Sequence, residues 1–461
     1  MLFNSFAFLV FAAAFFPVYL AFRDDPRGRN LVLIGFSVFF YGWWEWRYVP
    51  LLLLTALIDY YAGLLMADRP AFRRRILVIS MIGNLGILGI LKYYDFFAQS
   101  LNGILEAAGS DPLLSALMPV LPMGVSFYTF HSMSYAIDVY RGVLEPRRSF
   151  ATYLAYLTMF PQLVAGPIVR ARQLLPQLEV TVKPDQTDFD AGLWLIAGGY
   201  FKKVVLADNI APAVNASFSG GLGNAGLGWW LVMALFSAQI YCDFSGYSDI
   251  AIGLSRWMGL RLPENFRHPY LASTLRDFWQ RWHITLSTWF RDYVYIPLGG
   301  SRGRASRAVF ALFVTMLLSG LGHGAAWHFV FWGFVHAVLL VVERWGSTRW
   351  AVSLPLGARV VLVNTLILAT WVFFRSSSMN QSFFILGQMF SARVDWAGLS
   401  LVSLNAWCAL GVLIASEVLA FARKEAPLHP TSRVAQFRLA AMILACIYLR
   451  GPGSAFIYFQ F

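Results

Sequence analysis

Apolar residues along this chain do not recur at the three-and-four spacing of a surface helix. They run on for about 15–20 positions and stop at short polar loops, the length a helix needs to cross a hydrocarbon layer. Such runs lie at Leu2–Phe22, Leu31–Trp44, Val49–Met66, Ile76–Tyr94, Leu121–Tyr140, Gly192–Ala207, Trp229–Leu254, Ala308–Trp327, Phe329–Val342, Arg359–Phe374, Leu401–Ala422 and Leu439–Tyr458. The pattern predicts an all-α polytopic membrane protein with about eleven transmembrane helices, the shorter runs being tilted, broken or covered by neighbours. The first run is too long for a cleaved signal and has no basic residues before it, so it is expected to stay as a helix. Ala151–Val169 has basic residues on both flanks and is broken by Pro161, Gly166 and Pro167. It is expected to re-enter rather than cross, because irregular backbone survives at membrane depth only under cover of protein or a cavity.

The polar stretches are short. The longest, Arg170–Asp190, is too small for a domain, and Ser219–Gly228 lacks the Lys-Ser/Thr of a phosphate loop and reads as a connector. No internal repeat or low-complexity tract appears, so one membrane domain over 1–461 is the expectation.

Composition agrees with the pattern. The chain is 58% hydrophobic and 13% charged, against about 25% charged in soluble domains. Its net charge of +12 would suit nucleic acid were the basic residues not gathered in loops between apolar runs; that placement orients helices against membrane lipids. Arg23, Arg27 and Arg29, then Arg69 and Arg73–Arg75, then Arg141, Arg147 and Arg148 alternate with a loop, 96–118, that holds Glu106 and Asp111 and no Lys or Arg. This alternation puts the N-terminus outside and the basic loops in the cytosol. Cys242, Cys408 and Cys446 are odd in number, lie in apolar runs and match no metal spacing, so they read as packing residues.

Candidate chemistry centres on histidine. His283 stands in Trp279-Gln280-Arg281-Trp282-His283-Ile284-Thr285-Leu286-Ser287, amid Arg256, Arg261, Arg267, Arg276 and Arg291 and the rings of Phe266, Tyr270, Phe278, Trp289 and Phe290. Arginine holds phosphate and aromatic rings stack on a base, so this stretch suits a nucleotide-bearing donor; an amphipathic helix anchored at the headgroups has the same composition. His323 lies inside an apolar run, and Gly320, Gly322 and Gly324 thin the helix around it so that a backbone or a substrate can come close. An ionisable group at membrane depth needs a partner or a cavity and so marks a functional candidate, although a histidine bonded to a neighbouring helix for packing fits the sequence too. His328 and His336, five and thirteen positions on, do not share its face, so no metal site is expected. His131, His268 and His429 read as packing or loop residues. Asp243 and Asp249 are membrane-depth carboxylates that either orient a histidine or pair with an arginine.

Tyr241–Gly253, Pro263-Glu264-Asn265-Phe266, Asp277-Phe278-Trp279, Arg281-Trp282-His283, the run Trp289–Gly300, His323-Gly324 and the closing Phe456-Ile457-Tyr458-Phe459-Gln460-Phe461 together resemble the membrane-bound O-acyltransferases, in particular their bacterial alginate O-acetyltransferase branch. The resemblance implies a funnel-like helical fold with re-entrant and interfacial helices, His323 as the catalytic histidine and His283 as a second active-site residue. Trp279, Arg281, Trp282, Ser287 and Asp243 are the expected substrate-binding residues. It further implies an inner-membrane enzyme with no bound cofactor. That enzyme takes acetyl from cytosolic acetyl-CoA and passes it to an exopolysaccharide such as alginate or to a periplasmic acetyltransferase. Relatives usually carry Trp before the catalytic histidine; here the position is Gly322, which implies a wider donor tunnel. The chemistry fits: an imidazole, with a pKa of about 6.5, accepts the attacking hydroxyl's proton near neutrality, and a hydrogen-bonding or protonated His283 would serve the oxyanion. Two alternatives stand beside this reading. One is a D-alanyl-type transferase fed by a carrier-protein thioester; the other is a polysaccharide or lipid transporter, for which the repeat symmetry is missing.

Overall fold

The computed structural model describes residues 1–117, 122–181, 183–221, 226–346, 354–391, 402–422 and 433–457. All of the elements assigned within them are helices. His429, the Tyr458–Phe461 end of the closing motif and part of the 219–228 connector lie outside the described residues. Six helical segments among the described residues are long and apolar enough to cross a membrane: Pro26–Asp68, Pro70–Ala107, Ala305–His323, Trp327–Gly346, Leu356–Arg375 and Leu404–Ala422. Other apolar runs fold into shorter or more polar pieces. The first becomes Phe6–Ala21, with 16 residues; the run at Gly192–Ala207 changes at Phe201 to a π-helical turn; Gly228–Trp257, at 30 residues, carries Asp243 and Asp249.

The chain forms two compact units, Met1–Gly192 with Ala251–Pro263, and Leu193–Ile250 with Glu264–Phe461. In the first, helix starts are set by local capping. Ser5 accepts from the Phe8 N–H at 3.2 Å, and Asp25 accepts from Arg27 and Gly28 with Pro26 at the first helical position. Its core is aromatic: Phe8, Phe11, Phe15 and Phe40 all contact Phe160, with ring centroids between 5.1 and 6.3 Å apart. Phe160 sits in the segment expected to re-enter. That segment forms two buried helices, Phe150–Thr158 and Phe160–Leu163, of nine and four residues, too short to cross. Gly166 lets the chain fold back on itself there, since a Cβ would lie 2.3 Å from the Pro161 carbonyl oxygen. The buried carboxylate of Asp59 accepts from Ser80 and Asn84, replacing water with internal donors as burial requires.

The second unit is built on a hairpin of Ala305–His323 and Trp327–Gly346. The two helices touch backbone to backbone: a Cβ on Gly320 would lie 2.2 Å from the Phe329 oxygen, and one on Gly333 would lie 2.3 Å from the Met316 oxygen. Only glycine permits that approach, and it lets dispersion contacts hold the pair where burial from water is not the driving force. Around the hairpin lies a buried cluster that includes Phe236, Phe278, Trp282, Phe329, Trp332, Trp371 and Phe374.

Candidate active site

His323 is the last residue of its helix. Eighteen rises of about 1.5 Å put it roughly 27 Å from Ala305 at the other end of the helix, close to the full thickness of a hydrocarbon core. The residue is 5% exposed, and its imidazole is boxed by Trp332, edge-on at 5.3 Å between centroids, and by Phe374 at 5.1 Å. The three flanking glycines do different things. A Cβ on Gly320 or Gly324 would collide at 2.2 and 2.1 Å, whereas one on Gly322 meets only Phe290 Cζ, at 3.8 Å. Two of them allow close packing and the third leaves room.

His283 lies between two short helices, Leu275–Arg281 and Ile284–Phe290. Its backbone is left-handed at φ 42°, a conformation that L-residues adopt at a cost of about 1–3 kcal/mol and that is common at functional sites. The segment that holds it there runs alongside: Arg267 N donates to the Arg281 oxygen and Ile284 N to the Asn265 oxygen, both at 2.9 Å. His283 Nδ1 is 3.0 Å from Asn265 Oδ1. That oxygen also accepts from Thr285, from Oγ1 at 2.9 Å and from the backbone N–H at 3.4 Å, while Asn265 Nδ2 donates to Ser248 Oγ. An atom that takes a backbone N–H is an acceptor, so the histidine proton sits on Nδ1 and Nε2 carries a lone pair. Burial, and after it the charge of nearby His323, push the proton affinity of His283 well below its ordinary value. The neutral Nδ1–H form is therefore the resting state. This revises the oxyanion role expected of His283, which needs a proton on Nε2. Asn265 is the residue that sequence reasoning passed over; its signal was its place in the Pro-Glu-Asn-Phe signature.

The expected substrate-binding residues divide. Trp279 is half-buried against Trp332 and His336, at 5.7 and 5.3 Å, and so adjoins the ring that boxes His323. Trp282 is buried among Phe266, Phe278 and Trp371, a core position. Arg281 Nε is held by Asp277 at 2.7 Å, and Ser287 Oγ donates to the Trp282 oxygen at 3.2 Å, closing the turn that carries His283. Asp243 is paired with Lys203 at 2.8 Å rather than with a histidine or an arginine. Nearby guanidiniums are likewise matched locally, Arg267 with Glu264 and Arg291 with Asp292. Three of the other histidines have structural partners among the described residues. His328 Nδ1 lies 2.8 Å from the Phe373 oxygen, His336 Nε2 3.1 Å from Thr370 Oγ1, and His268 Nδ1 3.1 Å from both oxygens of Glu417. Cys242, Cys408 and Cys446 are free thiols.

The profile of the membrane-bound O-acyltransferase family matches residues 120–380. A probable alginate O-acetylase of Azotobacter vinelandii is 37% identical over 89% of this chain and 82% of its own length. A peptidoglycan O-acetyltransferase of Helicobacter pylori is 32% identical over 88% of this chain and 82% of its own. A teichoic acid D-alanyltransferase of Bacillus subtilis is 30% identical over 51% of this chain and 64% of its own.

Proposed function

The chain belongs to the membrane-bound O-acyltransferase family and is a multi-pass membrane O-acyltransferase; from that premise we propose that it takes acetyl from cytosolic acetyl-CoA and passes it across the bacterial inner membrane for O-acetylation of an exopolysaccharide of the alginate kind. The observation that carries the reading is the pairing of two buried imidazoles in one unit, one at the far end of an apolar helix and one in a tautomer fixed by Asn265. The relatives that align along most of the chain are named for acetyl transfer to alginate and to peptidoglycan, and both names support a glycan acceptor.

In this reading His323 is the general base. The acceptor hydroxyl gives its proton to the imidazole while its oxygen attacks the thioester carbonyl. The C–O bond forms, the C–S bond breaks, and the proton passes from His323 to the departing thiolate. His283, neutral and with a lone pair on Nε2, accepts a hydrogen bond and so orients the incoming hydroxyl. The aromatic box keeps water from the thioester. With the basic helix start Arg73–Arg75 in the cytosol, the donor enters from that side and the acceptor from the other.

Reconstituted vesicles test this directly. Acetyl-CoA is supplied on the face that exposes the basic helix start Arg73–Arg75, with alginate oligosaccharide and its periplasmic acetyltransferase on the opposite face. Acetylated product across the membrane, with coenzyme A left on the donor side, is the expected result. Transfer only when both substrates share a face would reject the cross-membrane route.

A further inference from the structure

Within the second unit lies a buried ion cluster that the proposed reaction does not use. Lys203 Nζ is 2.9 Å from Asp208 Oδ1 and 2.8 Å from Asp243 Oδ1, and all three side chains are no more than 7% exposed. Lys203 and Asp208 are brought together by the π-helical turn Phe201–Ala207, in which the Asp208 N–H bonds to the Lys203 oxygen. One cation faces two carboxylates, so the cluster is short of donors, and unbalanced charge is costly in a buried site.

The missing donors come from the segment Leu449–Ile457. Ser454 donates to Asp208 Oδ1 from Oγ at 2.6 Å and from its backbone N–H at 3.3 Å, and Ile457 N donates to Asp243 Oδ2 at 2.6 Å. Lys203 Nζ in turn donates to the Ser454 carbonyl at 3.1 Å. Upstream, Gly451 N bonds to the Val204 oxygen at 2.8 Å and Asn209 Nδ2 to the Leu449 oxygen at 2.9 Å. Gly451 lies so close that a Cβ there would be 2.4 Å from the Asp208 backbone. The cluster and the segment therefore fix each other by charge-assisted hydrogen bonds, about twice as strong as neutral ones.

Between the two anchors, Ser454 and Ile457, stands Phe456. Its ring packs on Tyr247 at 4.9 Å and on Phe244 at 6.0 Å, and Phe244 meets the His283 imidazole edge-on at 4.7 Å. Asp243 and Phe244 are neighbours in sequence, so one short stretch carries both the clamp and the wall behind the histidine. Building on the proposed role of His283, we propose that Lys203, Asp208 and Asp243 form an ionic clamp that holds Phe456 against Phe244, and that these are positioning residues which keep His283 in register for acyl transfer.

The test measures acetyl transfer by Phe456→Ala and Phe456→Leu in the full chain, each in the wild-type and in the His283→Ala background. Misplacement of about 1 Å at a reacting group costs up to about a hundred-fold. Phe456→Ala is expected to lower kcat about ten- to a hundred-fold with the acetyl-CoA KM unchanged, and Phe456→Leu to recover most of the loss. In the His283→Ala background, Phe456→Ala should cost nothing further, because its effect passes through the missing imidazole. Ser454→Ala, which removes one hydroxyl from the clamp, carries the same test with a smaller drop should Phe456→Ala fail to accumulate. Wild-type kcat in Phe456→Ala, or an equal loss in both backgrounds, would overturn the proposal and leave the clamp a stabilising staple. A wild-type rate in His283→Ala alone would remove the role of His283 and the clamp's function with it.

Discussion

His131 and His283 are both buried, one in each unit, at 0% and 1% exposure, yet they are held in opposite ways. His131 lies inside the regular helix Val125–Tyr140, and its Nε2 accepts the Val169 N–H at 3.0 Å, tying the broken 151–169 segment to that helix. His283 lies in a left-handed turn, takes its partner from the side chain of Asn265 and feels the charge of a second imidazole. Burial does not tell a working histidine from a packing one. What separates these two is that a ring nitrogen of His131 takes a backbone N–H, whereas His283 meets a side chain that selects its tautomer.

The largest test of that contrast is His323→Ala. Loss of the general base is expected to lower kcat about 10²–10⁴-fold with insertion and folding intact. A folded variant that turns over at the wild-type rate would end the distinction between the two units. Next comes Asn265→Asp. A carboxylate beside Nδ1–H favours the imidazolium, so the proton affinity of His283, now depressed by burial, should rise. Each unit of that rise should cost about tenfold in turnover on the acid side, as pH falls through the new value. The kcat profile between about pH 5 and 8 reads it, and an unmoved acidic limb would show that neutral His283 is not required.

A third test sharpens the geometry of the site. Because a Cβ at Gly322 meets little but Phe290 Cζ, Gly322→Trp should fold and narrow the space beside His323, lowering the propionyl-to-acetyl ratio about tenfold. Unchanged donor selectivity would show that the space is not used by the acyl group. The smallest catalytic effect belongs to His131→Ala. It leaves the Val169 N–H unsatisfied at a cost of about 1–3 kcal/mol, so thermal stability should fall while kcat per folded molecule stays at the wild-type value. A catalytic loss beyond the folded fraction would show that His131 takes part in turnover as well as in packing.

Much of this was legible in the amino-acid order. Long apolar runs require helices because the bilayer offers no partner for free backbone groups. Proline and glycine within Ala151–Val169 announced a broken segment, and glycines around His323 announced close packing. Those are local consequences of residue type, which sequence states directly. The tautomer of His283 was not legible, because it depends on Asn265, eighteen residues away, and on Thr285 fixing which atom of Asn265 is the oxygen. Nor was the role of Asp243. Its cation, Lys203, lies forty positions upstream, and its backbone donor, Ile457, lies 214 positions downstream. Spacing along a chain shows which groups share a helix face. Which buried charge meets which donor is decided by packing, since only the folded chain brings those groups within hydrogen-bond reach and removes the water that would otherwise serve each of them.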